Sequence, residues 1–222
     1  MGQKTAATRL VPDTRTQLLE AAGACLRAHG YTGLSTRRVA EAAGMPLSQI
    51  HYHFGSKDAL VLALLDHQNQ RLIERQQRMF AANLPLWKRW ELACDYLDED
   101  VTSGFVRILH EMIAAGWSNP EVATAVRGSL SEWFRLLSCI SEEALARLGP
   151  VDKLQPADIA CLVGNVFLGS EALLLLGFED EGLPIRRALR RIGTLVKIIE
   201  ESKTSEADNA SETSRKGRLR RS

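Results

Sequence analysis

The sequence has little net charge and few cysteines, and each scarcity argues against a class of protein. Its 222 residues carry 28 basic and 27 acidic side chains, so overall charge alone does not indicate a polyanionic partner. The four cysteines form no CxxC pair; they are Cys25, Cys94, Cys139 and Cys161. We therefore expect four buried thiols, with no disulfide framework and no metal site.

Strand-like alternation and an apolar leader are also missing. No segment alternates apolar and polar residues with the period of a strand, which favours an all-α fold. The first ten residues, MGQKTAATRL, lack the apolar run of a signal peptide. Residues 159–178 are apolar enough to raise the question of a membrane span, but Glu171 would cost about 2.5–3.5 kcal/mol near a bilayer centre. We interpret this run as a buried helix and expect no membrane partner.

No catalytic set of residues stands out. His51 and His53 are two positions apart and would point in different directions on a helix, while His67 and His110 have no obvious partner. We therefore expect neither an enzyme nor a cofactor, with an all-helical enzyme as an alternative.

The charges that are present are unevenly divided. Residues 1–60 carry seven basic and four acidic side chains, residues 61–201 carry fifteen and twenty, and residues 202–222 carry six and three. A basic N-terminal part on an acidic body would direct one end of the molecule towards a polyanion.

Residues 35–54, STRRVAEAAGMPLSQIHYHF, hold two short helical patterns separated by a tight turn. Ser35 or Thr36 can cap the first helix, Gly44 suits its left-handed C-terminal position, and Pro46 can begin the second helix. The apolar stripe of the second helix contains Leu47, Ile50 and Phe54.

The side chains that this stripe leaves outside are polar or aromatic: Ser48, Gln49, His51, Tyr52 and His53. They carry many hydrogen-bonding groups and few charges, which suits a helix that reads base edges in the major groove of DNA. Arg37 and Arg38 begin the preceding helix, where they could meet a phosphate or a guanine edge. Lys57 opens the next helix and, with the free amides there, predicts an anion site.

The segment from Asp13 to about Arg78 resembles the TetR family of bacterial transcriptional regulators. The matching run is residues 30–65, GYTGLSTRRVAEAAGMPLSQIHYHFGSKDALVLALL. Four family signatures recur in it: Gly30-Tyr31, Thr36-Arg37-Arg38, Tyr52-His53-Phe54 and Ser56-Lys57. This motif is long and specific, whereas residues 81–201 resemble the family only in layout.

The resemblance implies an all-α fold of about nine helices, with a three-helix DNA-binding domain before a larger ligand-binding and dimerisation domain. It implies a homodimeric repressor, in the bacterial cytoplasm and associated with the nucleoid, that binds a near-palindromic double-stranded operator and is released by a small molecule. Its DNA-contacting residues would be Thr36, Arg37, Arg38, Leu47, Ser48, Gln49, His51, Tyr52, His53 and Lys57.

Position 51 departs from the family, which most often has Tyr there. The resemblance therefore does not supply the operator sequence. Protonation of His51 near a phosphate would make DNA binding sensitive to pH.

We divide the chain into a flexible N-terminal arm at 1–12, a DNA-binding domain at 13–58 with its helix-turn-helix at 36–55, an effector-binding and dimerisation domain at 59–201, and a disordered basic tail at 202–222. The predicted body helices lie near 85–101, 104–117, 120–148, 156–177 and 184–201. The final RKGRLRR of the tail could add sequence-independent affinity for DNA.

The last two helices of the body carry more apolar surface than one subunit can easily cover. The resemblance implies that they meet their symmetry mates in a four-helix bundle. The interface would contain Leu162, Val166, Leu173, Ile185, Leu189, Ile192, Val196 and Ile199. Burial of the pair within one larger core is the alternative.

All four tryptophans lie between residues 87 and 133. Core packing is the ordinary explanation, but with a few polar neighbours these side chains could line an apolar effector pocket. The candidate lining residues are Trp87, Trp90, Phe105, His110, Glu111, Trp117, Trp133, Cys139 and Phe167. We expect a mainly apolar effector, aromatic or acyl. An activator, a ligand-independent DNA organiser and a purely structural helical adaptor are the competing interpretations.

Overall fold

The computed structural model describes residues 13–149 and 153–219, with side chains up to residue 205. This part contains nine α-helices and no β-strand, which confirms the all-α prediction. The helices are α1 Thr14–Gly33, α2 Thr36–Ala43, α3 Leu47–His53, α4 Lys57–Ala81, α5 Leu86–Ser103, α6 Phe105–Gly116, α7 Pro120–Leu148, α8 Pro156–Leu175 and α9 Ile185–Leu219. The predicted N-terminal arm at 1–12 and the last three tail residues lie outside the described residues.

The chain divides into two compact units. The first comprises the described residues up to Gln68 together with Glu111–Val126, and the second comprises Asn69–His110 and the described residues from Arg127 onward. The first unit is larger than the predicted domain at 13–58, because it also contains α4 as far as Gln68, the end of α6 and the start of α7.

The first unit has an aliphatic core. The apolar faces of its helices supply fully or almost fully buried side chains, which include Leu18, Leu19, Leu26, Val39, Ile50, Leu60, Leu64 and Met112. Gly30 interrupts α1 with φ 68° and ψ 176°, a conformation that only glycine adopts readily. The regular part of α1 therefore ends near His29.

The second unit is built around aromatic and aliphatic side chains from α5, α6, α8 and α9. Its buried cluster contains Cys94, Leu97, Val106, Phe167, Ile185 and Leu189. Trp90 packs against this cluster and donates a hydrogen bond from Nε1 to the carbonyl of Leu189 at 2.7 Å. A Cβ at Gly193 would lie 2.9 Å from Cδ1 of Trp90, so glycine permits this close approach of α9 to α5.

The prediction that residues 159–178 form a buried helix is wrong. Only 17% of the apolar 18-residue stretch of α8 is buried. Among the described helices, only α8 has the length and the apolar composition to cross a membrane. One such helix is weak evidence for a membrane span. Its inward face consists of Ala160, Gly164, Phe167 and Glu171, which lie at helical spacing.

The prediction of a disordered tail is contradicted for residues 202–219, where α9 continues as helix. Apolar residues are scarce there, and local interactions support the start of this extension. The Ser202 hydroxyl donates to the Ile198 carbonyl at 2.9 Å, and the Thr204 hydroxyl donates to the Glu200 carbonyl at 2.9 Å. A lack of apolar residues removes packing energy but does not prevent a helix that is continuous with a packed one, because nucleation is already complete.

The expectation of four buried thiols holds only for Cys25 and Cys94. Cys139 and Cys161 are exposed, and all four cysteines are free. Cys161 is exposed because it lies on the outward face of α8, beside Leu162.

Candidate nucleic-acid interface

Local hydrogen bonds fix the two helices of the helix-turn-helix. The Ser35 side chain accepts a bond from the Arg38 amide at 3.2 Å, which confirms Ser35 as the N-cap of α2. Gly44 ends α2 in the left-handed conformation, with φ 63° and ψ 31°, as the sequence predicts. The turn is closed by the Met45 amide, which donates to the Ala40 carbonyl at 2.9 Å. The geometry of α2 and α3 is therefore encoded by short-range contacts.

The helix α3 has a buried side and an exposed side. Ile50 is fully buried in the first unit, whereas Tyr52 is 83% exposed. Ser48 and His51 are exposed as well, and Leu47 is 39% exposed. Together, Leu47, Ser48, His51 and Tyr52 form a continuous solvent-facing surface, which we call the α3 surface. Its polar atoms are available to a partner, as reading of base edges requires.

Gln49 and His53 are only partly exposed. The His53 ring lies edge-on to Tyr52, with ring centroids 4.9 Å apart, and is tilted against Phe54 at 6.1 Å. Phe54 is in turn covered by the Arg15 guanidinium, 5.6 Å from its ring centroid. His53 therefore supports the end of α3 besides facing solvent.

The predicted cationic residues differ in how strongly they are engaged within the chain. Arg37 is exposed and its Nε donates to the Glu41 carboxylate at 3.1 Å. This pair lies on the surface, where it contributes little to stability, so Arg37 can exchange it for a phosphate. Arg38 is also exposed but donates to the Gly33 carbonyl at the end of α1. Thr36 is partly buried.

Lys57 is held by the protein itself. Its Nζ donates to the Tyr31 carbonyl at 2.8 Å and lies 4.5 Å from the centroid of the Tyr31 ring. A phosphate would have to compete with both contacts. The structure therefore gives Lys57 an anchoring role that the sequence analysis did not anticipate.

Lys57 belongs to a cluster that joins the end of α1, the start of α4 and the middle of α6 within the first unit. The Tyr31 hydroxyl donates to Asp58 at 2.8 Å, and the Tyr31 amide donates to the Glu111 carboxylate at 3.0 Å. Burial, together with the neighbouring Asp58 carboxylate, raises the pKa of Tyr31 to about 12, so its hydroxyl stays protonated. We call Tyr31, Lys57, Asp58 and Glu111 the Tyr31 cluster.

The only sequence signal for the Tyr31 cluster is the Gly30-Tyr31 pair. Gly30 lies against the same carboxylate, because a Cβ there would be 3.1 Å from Glu111 Oε1. The partner Glu111 lies 80 residues from Tyr31 and could not be paired with it by spacing.

The nine predicted pocket residues are divided between the two units. Glu111 and Trp117 belong to the first unit; Glu111 binds the end of α1, and Trp117 is 84% exposed. Cys139 is exposed on α7. Trp87 lies at the start of α5 with the ammonium groups of Lys88 and Lys197 at 4.5 and 4.7 Å from its ring. No buried apolar environment surrounds Trp117 or Cys139, because both side chains are exposed.

The remaining five lie within the second unit. Trp90 and Phe167 have ring centroids 5.5 Å apart, and Trp133 packs against the same cluster. Phe105 is buried. His110 Nε2 lies 3.2 Å from the Glu171 carboxylate, and burial raises the pKa of Glu171. Aromatic rings and one partly buried polar pair thus occur in the same unit.

The predicted dimer residues fall into two groups. Leu162, Val166 and Ile199 are exposed, whereas Leu173, Ile192 and Val196 are partly buried. Ile185 and Leu189 are buried in the core of the second unit, where α9 packs against α5, so their assignment to a dimer interface is wrong. The exposed apolar residues on α8 and α9 are Leu162, Val166, Leu175, Leu195, Ile198 and Ile199, which we call the α8–α9 surface.

The fold and the α3 surface define a helix-turn-helix protein in which a small first unit carries an exposed polar helix. Residues 18–64 match the family described as bacterial regulatory proteins, tetR family. This match covers the helix-turn-helix part of the chain, which is therefore similar to the corresponding part of TetR-family regulators.

Individual relatives are similar to this chain mainly in its N-terminal part. The chain is 40% identical over 62 residues to the HTH-type transcriptional repressor AcnR of Corynebacterium efficiens, a match that covers 28% of this chain and 33% of AcnR. The match therefore spans about a third of the length of this curated relative.

Solved structures extend the likeness to most of the chain. The fatty acid degradation regulator FadR from Bacillus halodurans has a TM-score of 0.68 and 14% identity, with 85% of this chain and 96% of FadR covered. FadR from Bacillus subtilis, solved in complex with stearoyl-CoA, has a TM-score of 0.63 and 15% identity, with 82% and 96% covered. At these identities the likeness establishes the fold alone.

Proposed function

We propose that the protein is a homodimeric repressor that binds a near-palindromic DNA operator through α3 and is released by a small, mainly apolar effector. One observation carries the DNA-binding part of this proposal. The helix α3 buries Ile50 completely and leaves Tyr52 83% exposed beside Ser48 and His51. A helix anchored on one side and polar on the other can enter the major groove without unfolding its domain.

The α8–α9 surface supports the homodimer. Its leucine, isoleucine and valine side chains are 39–62% exposed in a single subunit. Exposed apolar surface of this kind is costly in water and marks an interaction site. A second copy is the natural occupant, because a twofold contact lets the same surface serve on both subunits. Two α3 helices would then read successive major grooves about 34–36 Å apart, or a related multiple.

The aromatic side chains of the second unit support an apolar effector. Trp90, Trp133, Phe105 and Phe167 supply apolar surface, and the His110–Glu171 pair supplies polar groups that could orient a ligand. The Bacillus subtilis neighbour was solved with stearoyl-CoA, which suggests an acyl ligand as one candidate class here. We limit the proposed pocket to the second unit and remove Glu111, Trp117 and the exposed Cys139 from it.

Release would act through α6, which is shared by the two units. His110 contacts Glu171 of α8 within the second unit, and the next residue, Glu111, holds the Tyr31 amide within the first. An effector that binds better when α6 has moved would therefore disturb the Tyr31 cluster. The proposed site of action is the bacterial cytoplasm, at the nucleoid.

Fluorescence anisotropy with labelled DNA tests the DNA-binding and release steps together. Full-length protein should bind the DNA upstream of its own gene more tightly than an unrelated duplex. Both duplexes are compared at 100 mM salt, because affinity for DNA depends strongly on salt. Acyl and aromatic compounds should then be titrated into the complex. Displacement of DNA by a compound that also changes the fluorescence of a Trp117→Phe variant supports an effector in the second unit, because Trp117 belongs to the first. Binding of DNA that no compound weakens would favour a ligand-independent organiser.

An activator on the same scaffold makes the same contacts with DNA and differs only in outcome. Reporter expression with the bound DNA overlapping a promoter, and then upstream of it, separates the two functions. A repressor lowers expression in the overlapping position and has no stimulating effect upstream.

A further inference from the structure

The imidazole of His51 is held in one orientation by the turn that follows α3. Its Nδ1 lies 3.2 Å from the carbonyl oxygen of Gly55. The Gly55 amide donates back to the His51 carbonyl at 3.1 Å, so the two residues are joined by a reciprocal pair of hydrogen bonds. Gly55 supports this turn with a positive φ of 77°, which glycine adopts without strain.

This contact decides where the imidazole proton lies. A carbonyl oxygen can only accept a hydrogen bond, so Nδ1 must carry the hydrogen. In the neutral ring the other nitrogen, Nε2, then has a lone pair and no hydrogen. Because His51 is exposed on the α3 surface beside Ser48 and Tyr52, neutral His51 can present Nε2 to a partner as a hydrogen-bond acceptor.

Base edges in the major groove differ in whether they offer a hydrogen-bond donor to such an acceptor. Only the N4 amino group of cytosine and the N6 amino group of adenine are donors there, while guanine and thymine offer acceptors. A phosphate oxygen is also an acceptor and gives neutral Nε2 no partner. The tyrosine that the family most often has at this position carries a hydroxyl, which can donate or accept and so imposes no comparable choice.

We infer that His51 is a specificity-determining residue that selects an amino-bearing base, adenine or cytosine, at one position of each operator half-site. The inference rests on the proposed entry of α3 into the major groove. It fixes the direction of hydrogen bonding, from base to protein, which a tyrosine hydroxyl at position 51 would leave open.

Selection from a random duplex library with the full-length protein tests the inference. Wild type should enrich adenine or cytosine at one position that His51→Ala leaves unspecified, with the rest of the half-site unchanged. His51→Arg, which can only donate, should shift that position to guanine. Thermal melts of each variant establish that it is folded, and His51→Tyr serves as a second variant that keeps an aromatic ring and should broaden the preference.

Removal of the amino group from the base gives the decisive measurement. In the selected duplex, adenine is replaced by purine, or cytosine by 2-pyrimidinone, at the position assigned to His51. Wild type should bind the altered duplex about tenfold more weakly, whereas His51→Ala should bind both duplexes equally.

Two results would overturn the inference: enrichment of guanine or thymine by wild type at the His51-dependent position, or a half-site preference for His51→Ala identical to that of wild type. Failure of wild type to enrich any sequence is a different outcome, because it contradicts the proposed DNA-binding function itself.

Discussion

The α3 surface and the α8–α9 surface are both open to solvent, but they are chemically opposite. The first exposes Ser48, His51 and Tyr52, whose polar atoms water satisfies until a partner arrives. The second exposes Leu162, Leu195 and Ile198, which water solvates poorly. A polar surface stays hydrated while its partner is absent, so it suits a transient partner. A large apolar surface is costly to expose, so it suits a partner that stays bound. The difference supports the proposal that the first surface binds DNA and the second binds another copy of the chain.

Negative charges introduced into the α8–α9 surface should cause the largest change in assembly and in affinity for DNA. Leu162→Glu combined with Ile198→Glu would place like charges opposite each other across a twofold axis, so we expect a monomer in sedimentation equilibrium. Operator affinity should fall by about 100-fold or more, because one half-site cannot supply the specific binding of two. Trp117→Glu is the matched control, since Trp117 is an exposed apolar residue of the first unit. A dimer that survives the double substitution would remove this surface from the interface.

Substitutions at two residues of α3 should affect the stability of the first unit and the recognition of DNA separately. Ile50→Ala should destabilise the first unit by about 2–5 kcal/mol, since Ile50 is fully buried. Tyr52→Ala should change the free energy of unfolding by less than about 0.5 kcal/mol, since Tyr52 is 83% exposed, and should still weaken operator binding. Urea denaturation and DNA titration of both variants measure the contrast. An equal loss of stability in the two variants would contradict the assigned faces of α3.

The helix-turn-helix could be predicted from the sequence because its signals are local. Ser35 caps α2 three residues from its bonding partner, Gly44 supplies the left-handed end, and Ile50 falls on the buried stripe. Each of these features depends on residues within one or two helical turns. The family resemblance covered the same segment, and residues 18–64 are those that the family profile matches.

The remaining features depend on long-range packing and could not be predicted in the same way. Helical periodicity identifies Ile185 and Leu189 as apolar but does not say that α5, rather than a second subunit, covers them. Glu111, a predicted pocket residue, contacts Tyr31, which lies 80 residues away in the first unit. The long α9 follows from continuity with a packed helix, which composition alone does not reveal.

Gly30→Ala should destabilise the first unit by about 1–3 kcal/mol, because φ 68° and ψ 176° are strained for alanine. The added Cβ would also press on Glu111, which lies 3.1 Å away. Combining it with Glu111→Ala removes the collision but leaves the strain, so the double variant should lose less than the sum of the single variants. Strict additivity in urea denaturation would show that Gly30 and Glu111 do not interact.

Replacement of an exposed arginine should change the salt dependence of DNA binding when the arginine lies in the first unit but not when it lies in the second. Arg37→Ala should lower the slope of log affinity against log salt by about 0.9, as expected when one phosphate contact is lost. Arg187, an exposed arginine on α9, is the control, and its replacement by alanine should leave the slope unchanged. A similar change in both variants would mean that the charge effect is general and does not locate the α3 surface.

The smallest expected effect concerns pH and the second unit alone. Burial raises the pKa of Glu171 above its unfolded value, so the folded chain holds this proton more tightly than the unfolded chain. The resulting stabilisation is complete below the unfolded pKa of about 4.3 and is lost as pH rises through the folded pKa. Glu171→Gln should therefore flatten the fall in melting temperature as pH rises above about 4.3. An unchanged pH profile would show that Glu171 does not titrate in this range.

Binding of wild type and Tyr52→Ala to the DNA upstream of the gene, measured side by side at 100 mM salt, tests the central claim most directly. We predict that wild type prefers this duplex to an unrelated one by at least about 1,000-fold. Tyr52→Ala should remain folded and dimeric while losing most of that preference. Equal binding of the two proteins to the upstream duplex would contradict the account, because the α3 surface would then have no part in reading DNA.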